Sequence, residues 1–292
     1  MRNQKPAKLF NIKAVDRVIQ AGHKTLVMGI VNATPDSFSR DGCFKNKNDV
    51  SVVVRRALHQ VKCGADIIDI GGESSRPGSL RLSEKEEMAR VIPAITLLAK
   101  KIEVPISVDT YKTKVAQVAL DAGAVIVNNI QGTCLNKSLI KMITRYKAAI
   151  VLMHMQGTPR TMQKNVSYRG DVVEQIIKEL VKAKVECLNM GMLPEQIILD
   201  PGIGFGKTVE HNLEILARLN EFSKLKCPVL VGTSCKNFIG QILDKNVEER
   251  LNGTLATVCV SIMNGAHIVR VHDVKENKEA AAVVDEIVKL RK

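Results

Sequence analysis

A single eightfold (β/α) barrel is the fold class this sequence predicts. Short apolar runs recur eight times along its 292 residues, each stops on a polar or glycine-rich stretch, and helical patterns separate successive runs. After the leader there is no hairpin signal. That alternation calls for parallel strands joined by crossover helices, and eight of them fit a closed barrel better than an open sheet. No Pro/Ser-rich linker interrupts the chain, and α/β barrels use roughly 200 to 250 residues as one domain. The expected organisation is an N-terminal extension over residues 1–24 followed by one barrel over residues 25–292.

The extension is a polar leader with room for a small hairpin around Phe10 to Lys24. The first barrel strand, Leu26 to Val31, ends at Asn32 and enters a long polar loop, Ala33-Thr-Pro-Asp-Ser-Phe-Ser-Arg-Asp-Gly42. A helix from about Asn48 to Cys63 leads to the second strand, Asp66 to Gly72, and then to Glu73-Ser-Ser-Arg-Pro-Gly78. Ser83 with Glu86 three residues on is a capping box, and the helix it opens runs to about Lys101. The third strand, Ile106 to Val108, ends at Asp109. A short helix to Ala122 precedes the fourth, Val125 to Val127, which ends at Asn128 and Asn129. The fifth, Ala149 to Met153, ends at His154, and a helix from Asp171 to Met190 follows its loop. The sixth begins at Ile197 and stops at Asp200, before the glycine-dense Pro201-Gly-Ile-Gly-Phe-Gly-Lys207. The seventh, Pro228 to Val231, runs into Gly232-Thr-Ser-Cys-Lys236. The eighth, His267 to Val271, brings Arg270 and His272 to its far end, and a last helix closes the chain.

Composition narrows the class. With 45% hydrophobic residues but only 3% aromatic and no Trp, the core must be aliphatic. Seven scattered cysteines, never spaced Cys-x-x-Cys, indicate a reduced chain without a disulfide framework or a thiolate zinc site, hence a cytoplasmic one. No secretory leader and no membrane-spanning apolar run is apparent. The net charge of +13 invites a nucleic-acid partner, but the lysines alternate with Glu along helices such as Ile177 to Glu186, and no arginine-rich block appears. The expectation is no nucleic acid and no membrane. What remains of the charge is a pull on anionic small molecules.

In a barrel of this kind the carboxyl ends of all strands meet at one mouth, so Asn32, Glu73, Asp109, Asn128, His154, Asp200, Lys236 and His272 are expected to converge. They sort into two halves. Asp109, Asn128, Asp200 and Lys236 offer acceptors, an amide and a cationic donor, which suit a flat heterocycle with an amidine-like edge. Asn32, Ser75, Arg76, Arg270 and His272 suit a phosphate or diphosphate. The pairing points to a nitrogenous ring carrying a phosphorylated leaving group.

Several stretches together resemble the dihydropteroate synthase family: Met28-Gly-Ile-Val-Asn-Ala-Thr-Pro-Asp-Ser-Phe38, Asp69-Ile-Gly-Gly-Glu-Ser-Ser-Arg-Pro-Gly78, Ser107-Val-Asp-Thr110, Met153-His-Met-Gln-Gly157, Leu199-Asp-Pro-Gly-Ile-Gly-Phe-Gly-Lys207 and Arg270-Val-His-Asp273. The resemblance implies a transferase that joins (7,8-dihydropterin-6-yl)methyl diphosphate to 4-aminobenzoate in folate biosynthesis. By similarity Asp109, Asn128, Met153, Asp200, Phe205, Gly232 and Lys236 bind the pterin. Asn32, Arg76, Arg270 and His272 would bind the diphosphate, and Phe38, Ser75, Pro77 and Asn237 the aminobenzoate. Asn32 would also help place Mg²⁺, Asp109, Lys236, Arg76, Arg270 and His272 would carry catalysis, and a homodimer is implied.

Four positions depart from the family pattern. Cys235 stands where an arginine is usual, Asn237 where a serine is usual, Asn129 where an aspartate follows the fourth strand, and Ser75 where a threonine is usual. They leave a pterin-binding paralogue with little or no synthase activity as the alternative. A methyltetrahydrofolate-type methyltransferase would share the carboxylate and amide pocket but would not need a diphosphate grip.

Overall fold

The computed structural model describes residues 9–34, 50–74, 78–79, 81–164 and 166–290. The expected hairpin is present: β1 (Phe10–Ala14) pairs antiparallel with β2 (Arg17–Ala21). Eight parallel strands follow: β3 (Leu26–Asn32), β4 (Ile67–Gly71), β5 (Ile106–Asp109), β6 (Ile126–Asn129), β7 (Ala149–Met153), β8 (Ile197–Asp200), β9 (Leu230–Val231) and β10 (Ile268–Val271). They pair in chain order from β3 to β8, and β10 lies between β3 and β9. A bridge between Leu199 and Val229 joins β8 to the approach of β9 and closes the ring.

The helices are α1 (Val50–Lys62), α2 (Glu84–Leu98), α3 (Thr113–Asp121), α4 (Lys137–Tyr146), α5 (Val172–Asn189), α6 (Val209–Ala217), α7 (Asn237–Leu243), α8 (Leu251–Met263) and α9 (Val274–Lys289). Ser83 and Glu86 do form the capping box that opens α2. None of the described helices is long and apolar enough to cross a membrane.

Each barrel strand alternates between two apolar worlds. Residues such as Ile68, Ile70, Val108, Val127, Ile150, Leu199 and Val269 point outward and pack under the helices. Leu26, Met28, Ile67, Ile126, Val151, Ile198, Leu230 and Ile268 point inward and form a separate cluster with Ile12, Ala14, Ile19 and Ala21 of the hairpin. The hairpin's alternating pattern buries one face because it plugs the amino end of the barrel. With that end sealed by aliphatic side chains, the polar inward positions collect at the carboxyl end.

Candidate active site

One step above the apolar layer, the inward positions of four strands become Asp69, Asp109, Asn128 and Arg270. Arg270 Nε donates to Asp69 Oδ2 and its Nη2 to Asp109 Oδ2, each at 2.7 Å. Asn128 Nδ2 donates to the same Asp69 oxygen at 3.0 Å. A rigid guanidinium fork thus ties two carboxylates on adjacent strands. Burial pushes the Asp109 carboxyl up to about 7, Arg270 opposes that rise, and the neighbouring Asp69 charge adds to it.

The loop after β8 supplies the opposite wall. Asp200 Oδ1 accepts the Gly202 N–H at 2.7 Å, and burial holds the carboxyl up at about 6, with the Gly202 hydrogen bond and Lys236 pulling it down. Gly202 and Gly204 both have positive φ, 70° and 80°. A Cβ at Gly202 would lie 1.9 Å from the His154 carbonyl oxygen, and one at Gly204 would lie 2.9 Å from the Lys236 stem. Both must be glycine for the loop to lie against β7 and for Lys236 to cross it. Lys236 Nζ comes to 3.8 Å from the centre of the Phe205 ring. Burial, and secondarily Arg270, lowers its ammonium to about 8. Phe205, Met153, Met155, Met162 and Ile130 form a small apolar cluster with Tyr111 at its edge, a flat greasy face beside the carboxylates.

His154 does not reach the mouth as expected. It is 1% exposed and stands behind the loop, with Lys207 Nζ 3.0 Å from its Nδ1 and Glu179 Oε2 3.2 Å from its Nε2. Burial lowers the Lys207 ammonium to about 7. In that protonated form it can only donate, so Nδ1 accepts and Nε2–H donates to Glu179, and the neutral imidazole bridges the lysine and the carboxylate. Burial and Lys207 together push it down to about 4. Lys207 also donates to the Phe205 carbonyl at 3.0 Å, and His154 N–H to the Asp200 carbonyl at 2.9 Å. The network therefore anchors the residues that line the pocket. Lys207→Met is expected to lower stability by about 2 to 3 kcal/mol, the scale for leaving buried acceptors unpaired, and to weaken pterin binding. Thermal melts and calorimetry check both; a destabilised variant with undiminished pterin affinity would separate the network from the pocket.

Around the rim, His272 Nδ1 lies 2.9 Å from Ser234 Oγ, which also accepts the His272 N–H at 3.2 Å. Asn32 ends β3 at the same mouth, and Gly232 brings the backbone after β9 alongside the Arg270 stem. Glu73 is turned sideways rather than into the mouth: it accepts from Lys112, from Tyr111 and from the Leu82 N–H, while Lys112 also binds Glu87 and the Leu82 carbonyl. This buried cluster ties together the two ends of the stretch from 73 to 82.

Acceptors, a cation and an apolar wall thus face one another across a barrel mouth with a polar rim. A family model described as pterin binding enzyme matches residues 28–272. The dihydropteroate synthase of a Synechocystis species is 47% identical over 266 residues, covering 90% of each chain. The crystal structure of the Clostridium difficile dihydropteroate synthase in the presence of pteroic acid superposes with a TM-score of 0.85 at 43% identity, over 93% of this chain and 99% of that one. The chain belongs to the dihydropteroate synthase family of pterin-binding enzymes. The Xanthomonas albilineans dihydropteroate synthase with 4-aminobenzoic acid superposes with a TM-score of 0.86 at 34% identity, over 95% of this chain and 98% of that one.

Of the residues expected at the dihydropteroate synthase site, Asp109, Asn128, Met153, Asp200, Phe205, Gly232, Lys236 and Arg270 gather around the mouth. Phe38, Ser75, Arg76 and Pro77 lie outside the described residues. Arg270 stands differently from its expected place in the anion half, because two of its nitrogens are committed to carboxylates. Two family departures look milder in place. Asn129 points to the opposite face of β6 from Asn128, and its Oδ1 accepts the Gln131 N–H at 2.9 Å, so it holds a turn rather than lining the pocket. Cys235 does not leave its loop without a cation: Arg250 Nη1 donates to its carbonyl at 3.1 Å. Its backbone is left-handed at φ 56°. Asn237 is the first residue of α7 and exposed. Asp69, Lys207, Glu179, Lys112 and Ser234 were not singled out from sequence. For Asp69 a signal existed, since a charged residue at an inward position two before the end of an otherwise apolar strand has to be paired.

Proposed function

We propose that this chain joins the methylene carbon of (7,8-dihydropterin-6-yl)methyl diphosphate to the amine of 4-aminobenzoate. The C–O bond to diphosphate breaks and its electron pair leaves with diphosphate; the C–N bond forms and the amine gives up a proton. The observation that carries this reading is the juxtaposition of an acceptor-lined pocket, Asp200 and Asn128 with Lys236 over Phe205, and a rim bearing His272 and Ser234. Asp200 and Asn128 take the ring N–H groups, Lys236 donates to the ring, and Phe205 with Met153 covers its face. Asp109 sets a carboxylate beside the methylene that becomes cationic as diphosphate departs. His272 and Arg76 grip the diphosphate, while Arg270 stays on Asp69 and Asp109, and Phe38, Ser75, Pro77 and Asn237 frame the aminobenzoate.

Mg²⁺ fits the donor set. Asn32 offers a single neutral oxygen, which suits an ion that keeps water and phosphate oxygens as its main ligands. Asn32 would hold it. When bound, the ion supplies positive charge to the diphosphate oxygens.

Turnover of the diphosphate that depends on 4-aminobenzoate tests the reading; pterin binding without turnover would leave a pterin-binding paralogue. We further expect 4-aminobenzoate to bind poorly to the free protein and well once pterin and Mg²⁺-diphosphate are in place. Calorimetry with and without diphosphate reads this, and equal affinities would refute the ordering of its site by diphosphate. We place the protein in the cytoplasm, in keeping with its free cysteines, as a homodimer. The apolar side chains exposed on α7, α8 and α9, Ile242, Leu243, Val260, Val283 and Ile287, support a partner copy there. Light scattering decides it; a monomer at micromolar concentration would remove the assignment.

A further inference from the structure

The pocket contains one amide whose orientation is not free. Asp69 is fully buried on β4, and its Oδ2 accepts from both Arg270 Nε at 2.7 Å and Asn128 Nδ2 at 3.0 Å. A carboxylate that serves a guanidinium can only accept. Asn128 must therefore turn its NH₂ toward Asp69, which leaves its carbonyl oxygen for whatever occupies the pocket. Between them on β5, in register with Asp69, stands the short Ser107, so that Asp69 and Asn128 meet across the intervening strand. Asp69 Oδ1 has no hydrogen-bond partner among the described residues. A buried orphan oxygen is a cost that packing for stability alone would remove.

We infer that Asp69 is a positioning residue that sets the specificity of the pocket: by holding the NH₂ of Asn128 it makes that amide show substrate only an acceptor, so the site selects two-ring heterocycles with an N–H donor edge over those with an oxo group there. This rests on the pterin reading of the site. Asp200 supplies a second acceptor that does not depend on Asp69. Asn128 is the changeable half of the discrimination, because an amide released from Asp69 can rotate and offer a donor instead.

The test is calorimetry on the whole chain with 6-hydroxymethylpterin, which carries a 2-amino group, and with its 2,4-dioxo counterpart. In Asp69→Ala the preference of the wild type for the amino compound is expected to fall about tenfold, the loss of one correctly matched buried hydrogen bond. The Michaelis constant for 4-aminobenzoate should stay within about twofold. Asp69→Asn should restore the preference, because Arg270 obliges the new amide to face it with its oxygen, and that same oxygen keeps the NH₂ of Asn128. A merely structural role would not give that pattern. An unchanged preference in Asp69→Ala, or a preference lost equally in Asp69→Asn, overturns the proposal. If the alanine variant does not fold, a crystal structure of the wild type with pterin bound answers: Asn128 within hydrogen-bond distance of Asp69 supports the proposal, and a side chain turned away from it overturns it. A wild type that binds neither compound overturns the pterin reading and this proposal with it, whereas binding with an unaltered preference overturns this proposal alone.

Discussion

Asp200→Asn should weaken pterin binding by about 2 to 4 kcal/mol, roughly thirtyfold to a thousandfold, while the barrel stays folded. Oδ1 of Asp200 is occupied by the Gly202 N–H at 2.7 Å, and an amide oxygen in the variant can keep that bond. The NH₂ then takes the place of Oδ2, so a donor meets the ring N–H groups, and two buried donors face each other with no acceptor between them. Stability should move the other way. Burial holds the Asp200 carboxyl up at about 6, above its ordinary 3.8. For an acid whose folded value is raised, stability is fullest at low pH and is lost as pH rises through that value. Asparagine removes this loss, so at pH 8 the variant should melt no lower than the wild type. Calorimetry and melting curves at pH 8 check the pair of effects, and unchanged pterin affinity in a folded variant would remove Asp200 from the pocket.

That opposition between binding and stability explains what the sequence made legible. Strand ends could be read because an inward polar residue after an apolar run has only one tolerable place in a barrel, the open end; Asp109, Asn128 and Asp200 follow that logic, and all three are there. Hairpin and capping box were equally local, set by alternation in Phe10–Ala14 and by the spacing of Ser83 and Glu86. Pairing across the barrel was not legible. Arg270 is 201 residues from Asp69 and 161 from Asp109, and nothing in its own segment distinguishes a cation for phosphate from one for carboxylates. His154 failed for the same reason: a histidine after a strand reads as a mouth residue unless the Lys207 and Glu179 that enclose it are known to be there. Asn129 shows the converse: a departure next to a site residue reads as part of the site, although strand alternation turns it away.

The buried fork of Arg270 makes the largest stability prediction. Arg270→Met removes the one cation that, among the described residues, touches both Asp69 and Asp109 and leaves neighbouring buried carboxylates facing each other, a change that costs about 3 to 5 kcal/mol in comparable buried pairs. The cost should depend on pH with a definite sign. Asp109 already sits at about 7, raised by burial and by Asp69 and held down by Arg270; without the guanidinium it rises further. Because the raised acid is happiest protonated, the variant's deficit should be greatest above that value and shrink toward pH 5, where Asp109 takes up a proton and the repulsion disappears. Turnover should fall by about a hundredfold, the usual loss for one preorganised electrostatic group, since a protonated Asp109 cannot balance the cationic methylene. Arg270→Lys should rescue neither property, because a single ammonium cannot reach both carboxylates with the fixed fork that the two 2.7 Å bonds require. Melting temperatures of wild type and both variants between pH 5 and 9, with turnover at each pH, decide the matter. A deficit of equal size at every pH would mean that the arginine serves packing alone and that the charge on Asp109 is not what it governs.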